Sequence, residues 1–411
     1  MKTATLKGMY DYVPKEAKIR DYLQGKIMEV YTSQGFNRIY TPIVEDIENL
    51  EKSDGGENLN LIFKILKRGE KFEKAVENKD FDNLCDMGLR YDLTLPLSRF
   101  FAEHRNDLNL PFKCIQCDRV YRAERPQKGR NREFVQCDID IIGSKSSDCE
   151  VELIDTTSRA LLSLGLNDFT IKINHRGLLK NLLIKMGFGE QNVDSVCITF
   201  DKLDKIGCDG VKNELFDKGF DKEVVDRFLS LLNDLPLSME KVEAVVGNCE
   251  EIENLKEIIA GVNALSGGKY KIEFDLSLVR GQGYYTGAVF EIKSNEFSSS
   301  VGGGGRYDNL IGKFTGENVP AVGFSIGFER IYSILSQKQI KTGKNKLAVI
   351  YDEGKFVDCQ KFALTLQKEY DTSLFLRPKK LGKLLDKLET EGYFGFVVFG
   401  ENEIKPFKVA E

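Results

Sequence analysis

Two strand-like runs, FKCIQCDRVYR at 112–122 and REFVQCDIDIIG at 132–143, are joined only by AERPQKGRN. Parallel strands need a crossover of a dozen or more residues, usually a helix, and this connection is too short and too polar for one. The two runs therefore predict an antiparallel hairpin. The same habit holds around them. LIFKIL before and FTIKIN after also read as strands, with one clear helix, CEVELIDTTSRALLSLG, in the stretch between 60 and 180. Strands that adjoin in sequence without helices between them favour an antiparallel or mixed sheet.

The flanks set the organisation. Residues 15–34 predict a helix, with Ile19, Tyr22, Leu23, Ile27, Val30 and Tyr31 at three- and four-residue steps and a stop at Gly35. FNRIYTPIVE follows as a strand carrying Pro42, which suits an edge or an interface. Residues 176–265 form a helix-rich insertion, lysine- and aspartate-rich. Strand patterns return in YKIEFDLSLVRGQGYYTGAVFEIKS, then a tight glycine loop in SVGGGGRYDNLIG, then a strand-to-helix passage in VPAVGFSIGFERIYSIL. The hinge QKQIKTGKNK separates residues 1–335 from 345–411, where strands and helices alternate as in a small parallel α/β domain.

A chain of 411 residues is long for one core. Its net charge of −5 gives no global pull on nucleic acid, so any such contact must be local. Nine dispersed cysteines predict reduced thiols, and no apolar run is long enough for a signal or a membrane span; the expectation is a cytoplasmic protein. Cys114-Ile-Gln-Cys117 is the one CxxC, but with two histidines in the whole chain a zinc site lacks its second pair of ligands.

Chemistry concentrates at the cations. The hairpin tip carries Arg119, Arg122, Arg125, Lys128, Arg130 and Arg132 against Asp118, Glu124 and Glu133. A solvated loop accounts for such a stretch; so does a polyanion, and the preference for the planar, forked arginine favours a nucleotide. Arg280, in LVRGQGYYTGAVFE, stands among glycines that let a backbone approach a ligand. If that segment is extended, Tyr284 and Tyr285 point to opposite faces, one to a pocket and one to the core. Arg330 falls in the first turn of a helix entered through Gly323 and Gly327, where an anion is favoured. An edge strand and an ordinary amphipathic helix start remain open for these two. Asp92 and Thr94 stand two apart, which predicts one face of a strand, and an acid beside a hydroxyl can hold an ammonium group. Gln136 and Asp140 share parity in the strand leaving the hairpin. A cap or a polar surface face explains each of these alone.

Together, and in chain order, these segments resemble the histidyl-tRNA synthetase family of class II aminoacyl-tRNA synthetases. GFNRIYTPIVE is similar to motif 1, VYRAERPQKGRNREFVQCDID to motif 2 and VPAVGFSIGFERI to motif 3. LVRGQGYYTGAVFE and SVGGGGRYD resemble the two histidine-specific signatures. The resemblance spans nearly the whole chain. It implies an α+β fold, an antiparallel sheet flanked by helices, in a homodimer that activates L-histidine with ATP and Mg²⁺ and passes it to tRNA(His), with no membrane partner. By matching position, it assigns Arg122 and Arg280 to the α-phosphate, Glu124 to the adenine amino group, Arg130 to the β/γ-phosphates and Arg330 to the γ-phosphate. Asp92, Thr94 and Gln136 would hold the α-ammonium group, while Asp140 and Tyr285, with Tyr284 beside them, would read the imidazole. Gln127 would meet the acceptor end of the tRNA, and no dedicated protein site would hold the metal. The C-terminal part is shorter than the family's anticodon-binding domain, with a basic edge at Arg377, Lys379, Lys380 and Lys383. Two rivals share the fold: a silent paralogue of the ATP phosphoribosyltransferase regulatory type, and a sensor of uncharged tRNA.

Overall fold

The computed structural model describes all residues except 53–59, 128, 201, 233–236, 280–283, 339, 341, 402 and 408–411. It divides into two compact units, Met1–Lys338 and Gln339–Glu411.

The first unit opens with α1 (Pro14–Ser33), which starts on proline, where a missing N–H costs nothing, and buries Leu23, Ile27 and Tyr31 at four-residue steps. Then come β1 (Asn37–Arg38), β2 (Val44–Asp46), α2 (Ile47–Lys52), β3 (Lys64–Leu66), α3 (Glu70–Glu77), β4 (Cys85–Leu89) and α4 (Thr94–His104). The hairpin follows as β5 (Phe112–Tyr121) and β6 (Glu133–Ile142), then α5 (Asp148–Ser163) and β7 (Phe169–His175). Helices α6 (Arg176–Met186), α7 (Val193–Phe200), α8 (Leu203–Asp217), α9 (Lys222–Leu232), α10 (Met239–Val246) and α11 (Glu250–Ser266) make up the insertion. The chain returns through β8 (Lys271–Phe274), β9 (Ala288–Ser294), β10 (Gly302–Arg306), α12 (Gly312–Thr315), β11 (Ala321–Gly327) and α13 (Phe328–Leu335).

Eight strands form one mixed sheet in the order β1-β5-β6-β11-β10-β9-β7-β8, antiparallel except for the parallel strand at each edge. Helices α1, α5 and α13 pack on the sheet, and its opposite face carries the cleft described below. Alternation along β6 divides the two: Val135, Cys137, Ile139 and Ile141 are buried on one face, while Gln136, Asp138 and Asp140 line the cleft. A second cluster, including Tyr91, Leu95, Phe112, Tyr284 and Tyr307, packs beneath the acidic end of that cleft.

Three local expectations are corrected. FNRIYTPIVE is not one strand: β1 joins the main sheet, β2 pairs with β4 in a separate three-stranded sheet, and Pro42 lies between them. Arg90, fully buried, holds this crossing by donating to the Thr41 carbonyl at 2.7 Å and to the Thr41 hydroxyl at 3.1 Å. Asp92 and Thr94 do not share a strand face, because Thr94 begins α4 and Asp92 precedes it. The Asp92 carboxylate takes the Leu95 N–H, and Pro96 in the first turn fixes helical φ, so local capping overrides the alternation. The strand patterns of YKIEFDLSLVRGQGYYTGAVFEIKS are, as expected, strands: β8 and β9, with Tyr284 and Tyr285 in the connection. The glycine run is no loop but β10, paired on both sides. A Cβ on Gly304 would fall 2.0 Å from the Gly323 carbonyl oxygen, so glycine is what lets this strand lie in the sheet.

The second unit is a four-stranded sheet built from β12 (Asn345–Tyr351), α14 (Phe356–Leu366), β13 (Tyr370–Leu376), α15 (Leu381–Thr390), β14 (Gly395–Val398) and β15 (Lys405–Pro406). β12 pairs parallel with β13 and β14, and β15 adds an antiparallel edge. Its Arg377, Lys379, Lys380 and Lys383 are exposed.

Candidate active site

The cleft has a cavity volume of about 190 Å³ and is open to solvent. Segments far apart in sequence line it: Asp92 and Thr94; Arg122, Glu124 and Arg130; Gln136, Asp138 and Asp140; Tyr284 and Tyr285; Gly302 to Gly304; and Arg330. Ten of the residues singled out above thus share one cavity. Gln127 does not line it; exposed near the hairpin tip, it pairs backbone to backbone with Arg130. Arg280 and Lys128 lie outside the described residues.

One end is cationic. Arg122, just past the end of β5, donates from Nε to the Tyr91 carbonyl at 3.0 Å and lies 5.1 Å from the Phe134 ring centre. Both contacts fix the direction of the guanidinium, and among the described residues its remaining donors form no ion pair with a carboxylate. Arg130, on the hairpin connection, approaches Glu124 to 3.3 Å. Arg330 enters from the first turn of α13 and donates to the Ser300 carbonyl. Its neighbour Glu329 is nearly buried and takes a bidentate pair from Arg20 at 2.6 and 2.8 Å. Arg20 in turn stacks 3.9 Å from the Tyr12 ring centre, so the N-terminal segment anchors the helix that presents Arg330.

The other end is acidic and dehydrated. Asp92, Asp138 and Asp140 are 3%, 4% and 3% exposed. Burial raises Asp92 to about 6, partly opposed by the Leu95 N–H and by Arg122. Burial also raises Asp140 to about 7, against the lowering effect of the Tyr307 hydroxyl, which donates to Oδ1 at 2.7 Å. Asp138 is pushed well above the carboxylate range by burial and then by Asp140. Two buried acceptors here have no hydrogen-bond partner among the described residues: Oδ2 of Asp92 and Oε1 of Gln136. Buried acceptors left orphaned are costly, and a cationic or N–H-rich ligand removes the cost.

Backbone sterics set this end. Asp140 is the register partner of Gly323, where a Cβ would lie 2.0 Å from Asp140 Oδ1 and 3.3 Å from the Tyr307 ring. Glycine there makes room for the Asp140–Tyr307 pair. Tyr284 and Tyr285, outside regular strand, both line the cleft with ring centres 4.9 Å apart in an edge-on contact, and Tyr284 is also part of the buried core cluster while Tyr285 is half-buried against it. Cys114 and Cys117, three apart in β5, sit on opposite faces of the strand. Among the described residues no group of three His, Cys, Asp or Glu could hold a metal ion. None of the described helices is long and apolar enough to cross a membrane.

The residues that sequence reasoning passed over are Asp138, Ser325 and Tyr307. Asp138 had a readable signal, its parity with Gln136 and Asp140. Tyr307 had a weaker one, its place directly after the glycine run.

A model of the histidyl-tRNA synthetase family matches residues 8–331. The histidine–tRNA ligase of Leifsonia xyli subsp. xyli is 40% identical over 415 aligned residues, covering 95% of this chain and 94% of that protein. The histidine–tRNA ligase of Cytophaga hutchinsonii is 35% identical, covering 97% and 92%. The crystal structure of histidyl-tRNA synthetase from Nostoc sp. PCC 7120 superimposes with a TM-score of 0.80 at 27% identity, covering 97% of this chain and 91% of that one.

Proposed function

The chain belongs to the histidyl-tRNA synthetase family, and from that premise we propose how the two ends of its cleft divide the work of a histidine–tRNA ligase. The enzyme activates L-histidine with ATP and transfers it to tRNA(His). The cationic end takes the nucleotide: Arg122 and Arg280 at the α-phosphate, Arg130 at the β/γ-phosphates, Arg330 at the γ-phosphate and Glu124 at the adenine amino group. The acidic end takes histidine. Asp92, Thr94 and Gln136 hold the α-ammonium group, and Asp140 with Tyr285, Tyr284 beside them, reads the imidazole. The observation that carries this reading is the pair of orphaned buried acceptors, Asp92 Oδ2 and Gln136 Oε1, in the same cleft as Arg122 and Arg330.

The chemistry asks little of side-chain bases. A histidine carboxylate oxygen attacks the α-phosphorus in line, the new O–P bond forms as the bond to the bridging oxygen breaks, and pyrophosphate leaves. The barrier lies in bringing two anions together and in charge on the phosphorus, which positioned guanidinium groups relieve. Mg²⁺, in this reading, enters with the triphosphate and is held chiefly by phosphate oxygens, adding charge neutralisation. Histidine is selected because an analogue without ring nitrogens would leave the buried Asp140 with the Tyr307 hydroxyl but without the ring N–H it is placed to receive.

Two assembly proposals accompany this. Tyr40, Ile43 and Val44 are exposed apolar residues flanking Pro42, and a second copy of the chain in a homodimer would cover them. The second unit meets tRNA(His) along Arg377, Lys379, Lys380 and Lys383, while Gln127 contacts the acceptor end. The regulatory-paralogue reading is not favoured: the named relatives are ligases along almost their whole length, and Arg122 and Arg330 line the cleft.

Exchange of pyrophosphate into ATP tests the whole. Exchange that depends on histidine, and on no other amino acid, is expected; none under saturating ATP and histidine would remove the ligase reading.

A further inference from the structure

We infer that Asp138, with Ser325, is a positioning residue for the substrate's α-ammonium group: it fixes which atom of the Gln136 amide faces the amino acid. The inference rests on the reading of Gln136 as an ammonium ligand and goes beyond it.

A glutamine amide offers a carbonyl oxygen from one end and two N–H donors from the other. Only the oxygen can receive an ammonium group. Turned round, the same side chain would aim N–H donors at a cation. Something must therefore hold the amide nitrogen away from the ligand. Gln136 Nε2 donates to the Ser325 hydroxyl at 3.0 Å and lies 3.4 and 3.5 Å from the two Asp138 oxygens. The Ser325 hydroxyl also favours the ionised form of Asp138. Directionality thus runs one way, from the amide N–H groups to the Ser325 hydroxyl and the Asp138 carboxylate, and the carboxylate in its ionised form can only accept. Gln136 Oε1 is left buried and, among the described residues, without a partner.

Register makes this arrangement a property of the sheet. Ser325 on β11 is the direct cross-strand partner of Asp138 on β6, and on its other side it faces Gly303, which has no side chain to intrude. Gln136, two residues before Asp138, stands on the same strand face. All three residues line the cleft. Asp138 also adds negative charge close to Gln136, and nothing in the reaction chemistry above uses it. Burial and the neighbouring Asp140 make that charge costly in the ligand-free protein, and an arriving cation offsets the cost.

Two probes separate this device from a structural role: histidinol, which keeps the amine, and 3-(imidazol-4-yl)propan-1-ol, which lacks it. Affinities are measured by calorimetry on the full chain. The wild-type protein is expected to prefer histidinol. In Asp138→Asn, histidinol binding should fall roughly ten- to a hundredfold, the range of a charge-assisted hydrogen bond, while the deamino analogue binds as before. Ser325→Ala, a milder change, should lose histidinol binding in the same selective manner, and it keeps the test alive should Asp138→Asn fold poorly. Equal losses for both probes, or no loss, would overturn the role given to Asp138. If the wild-type protein itself fails to prefer the amine, the assignment of Gln136 falls first, and the two failures are told apart.

Discussion

The two ends of the cleft are built from opposite materials. At the cationic end, long side chains reach in from loop and helix termini and are steadied by carbonyl oxygens and a ring: Arg122 by Tyr91 and Phe134, Arg330 by Ser300. At the acidic end, short carboxylates stand on a strand and a helix-capping turn, almost wholly out of water. Long tethered cations can follow a triphosphate as bonds break and form. Short buried acids cannot move, so their geometry must be right before the ligand arrives, and glycine at 323 and an orienting phenol at 307 make it so. In the proposed reaction, one end accommodates change and the other enforces identity.

The largest effect should separate the ends cleanly. Arg122→Ala removes a phosphate donor in a partly dehydrated site and is expected to cost roughly 10²–10³ in the rate of histidine-dependent pyrophosphate exchange. Histidine binding, measured by calorimetry without ATP, should change far less. A variant that exchanges pyrophosphate near the wild-type rate would show that this guanidinium does not serve the phosphate.

The acidic end breaks through the backbone instead. Gly323→Ala places a Cβ where Asp140 Oδ1 now lies, and a strand paired on both sides cannot shift to make room. Displacing one buried carboxylate from its ligand should weaken histidine binding roughly ten- to a hundredfold, with ATP affinity little changed. Unaltered histidine affinity would mean that Asp140 has another rotamer able to serve, contrary to its dense packing.

The same contrast governs what the sequence disclosed. Cationic residues were conspicuous because six crowd one hairpin turn, and crowding of like charge asks for an explanation. The hairpin itself followed from chain length between two runs. The acidic end was legible as residue types but not as geometry. Alternation placed Asp92 and Thr94 on a strand, yet a side-chain cap and Pro96 turned the chain into a helix, a local competition that period-two counting does not register. The glycine run read as a loop because glycine weakens strands; here the neighbours press so close that only glycine fits. That pressure comes from β9 and β11, and no window around residues 302–306 contains it.

The smallest expected effect is also the most discriminating. Asp140 sits near 7 and Asp92 near 6 in the ligand-free protein, both raised by burial. To receive an N–H donor or an ammonium group, each must give up its proton. Histidine affinity should therefore be flat above pH 7 and fall as pH drops through 7 and then 6, by roughly tenfold per unit once a single group is mostly protonated. Tyr307 enters through one bond: its hydroxyl donates to Asp140 and favours the ionised form, holding that group lower than burial alone would. Tyr307→Phe deletes the donor and keeps the ring, so Asp140 should titrate higher and the upper break of the affinity profile should move towards alkaline pH. At pH 7.5 the loss should be only a few-fold, and it should vanish by pH 9, where Asp140 is ionised with or without the phenol. A loss of equal size at every pH would mean that the hydroxyl contributes shape rather than charge, and the acidic end would then be less finely tuned than its burial implies.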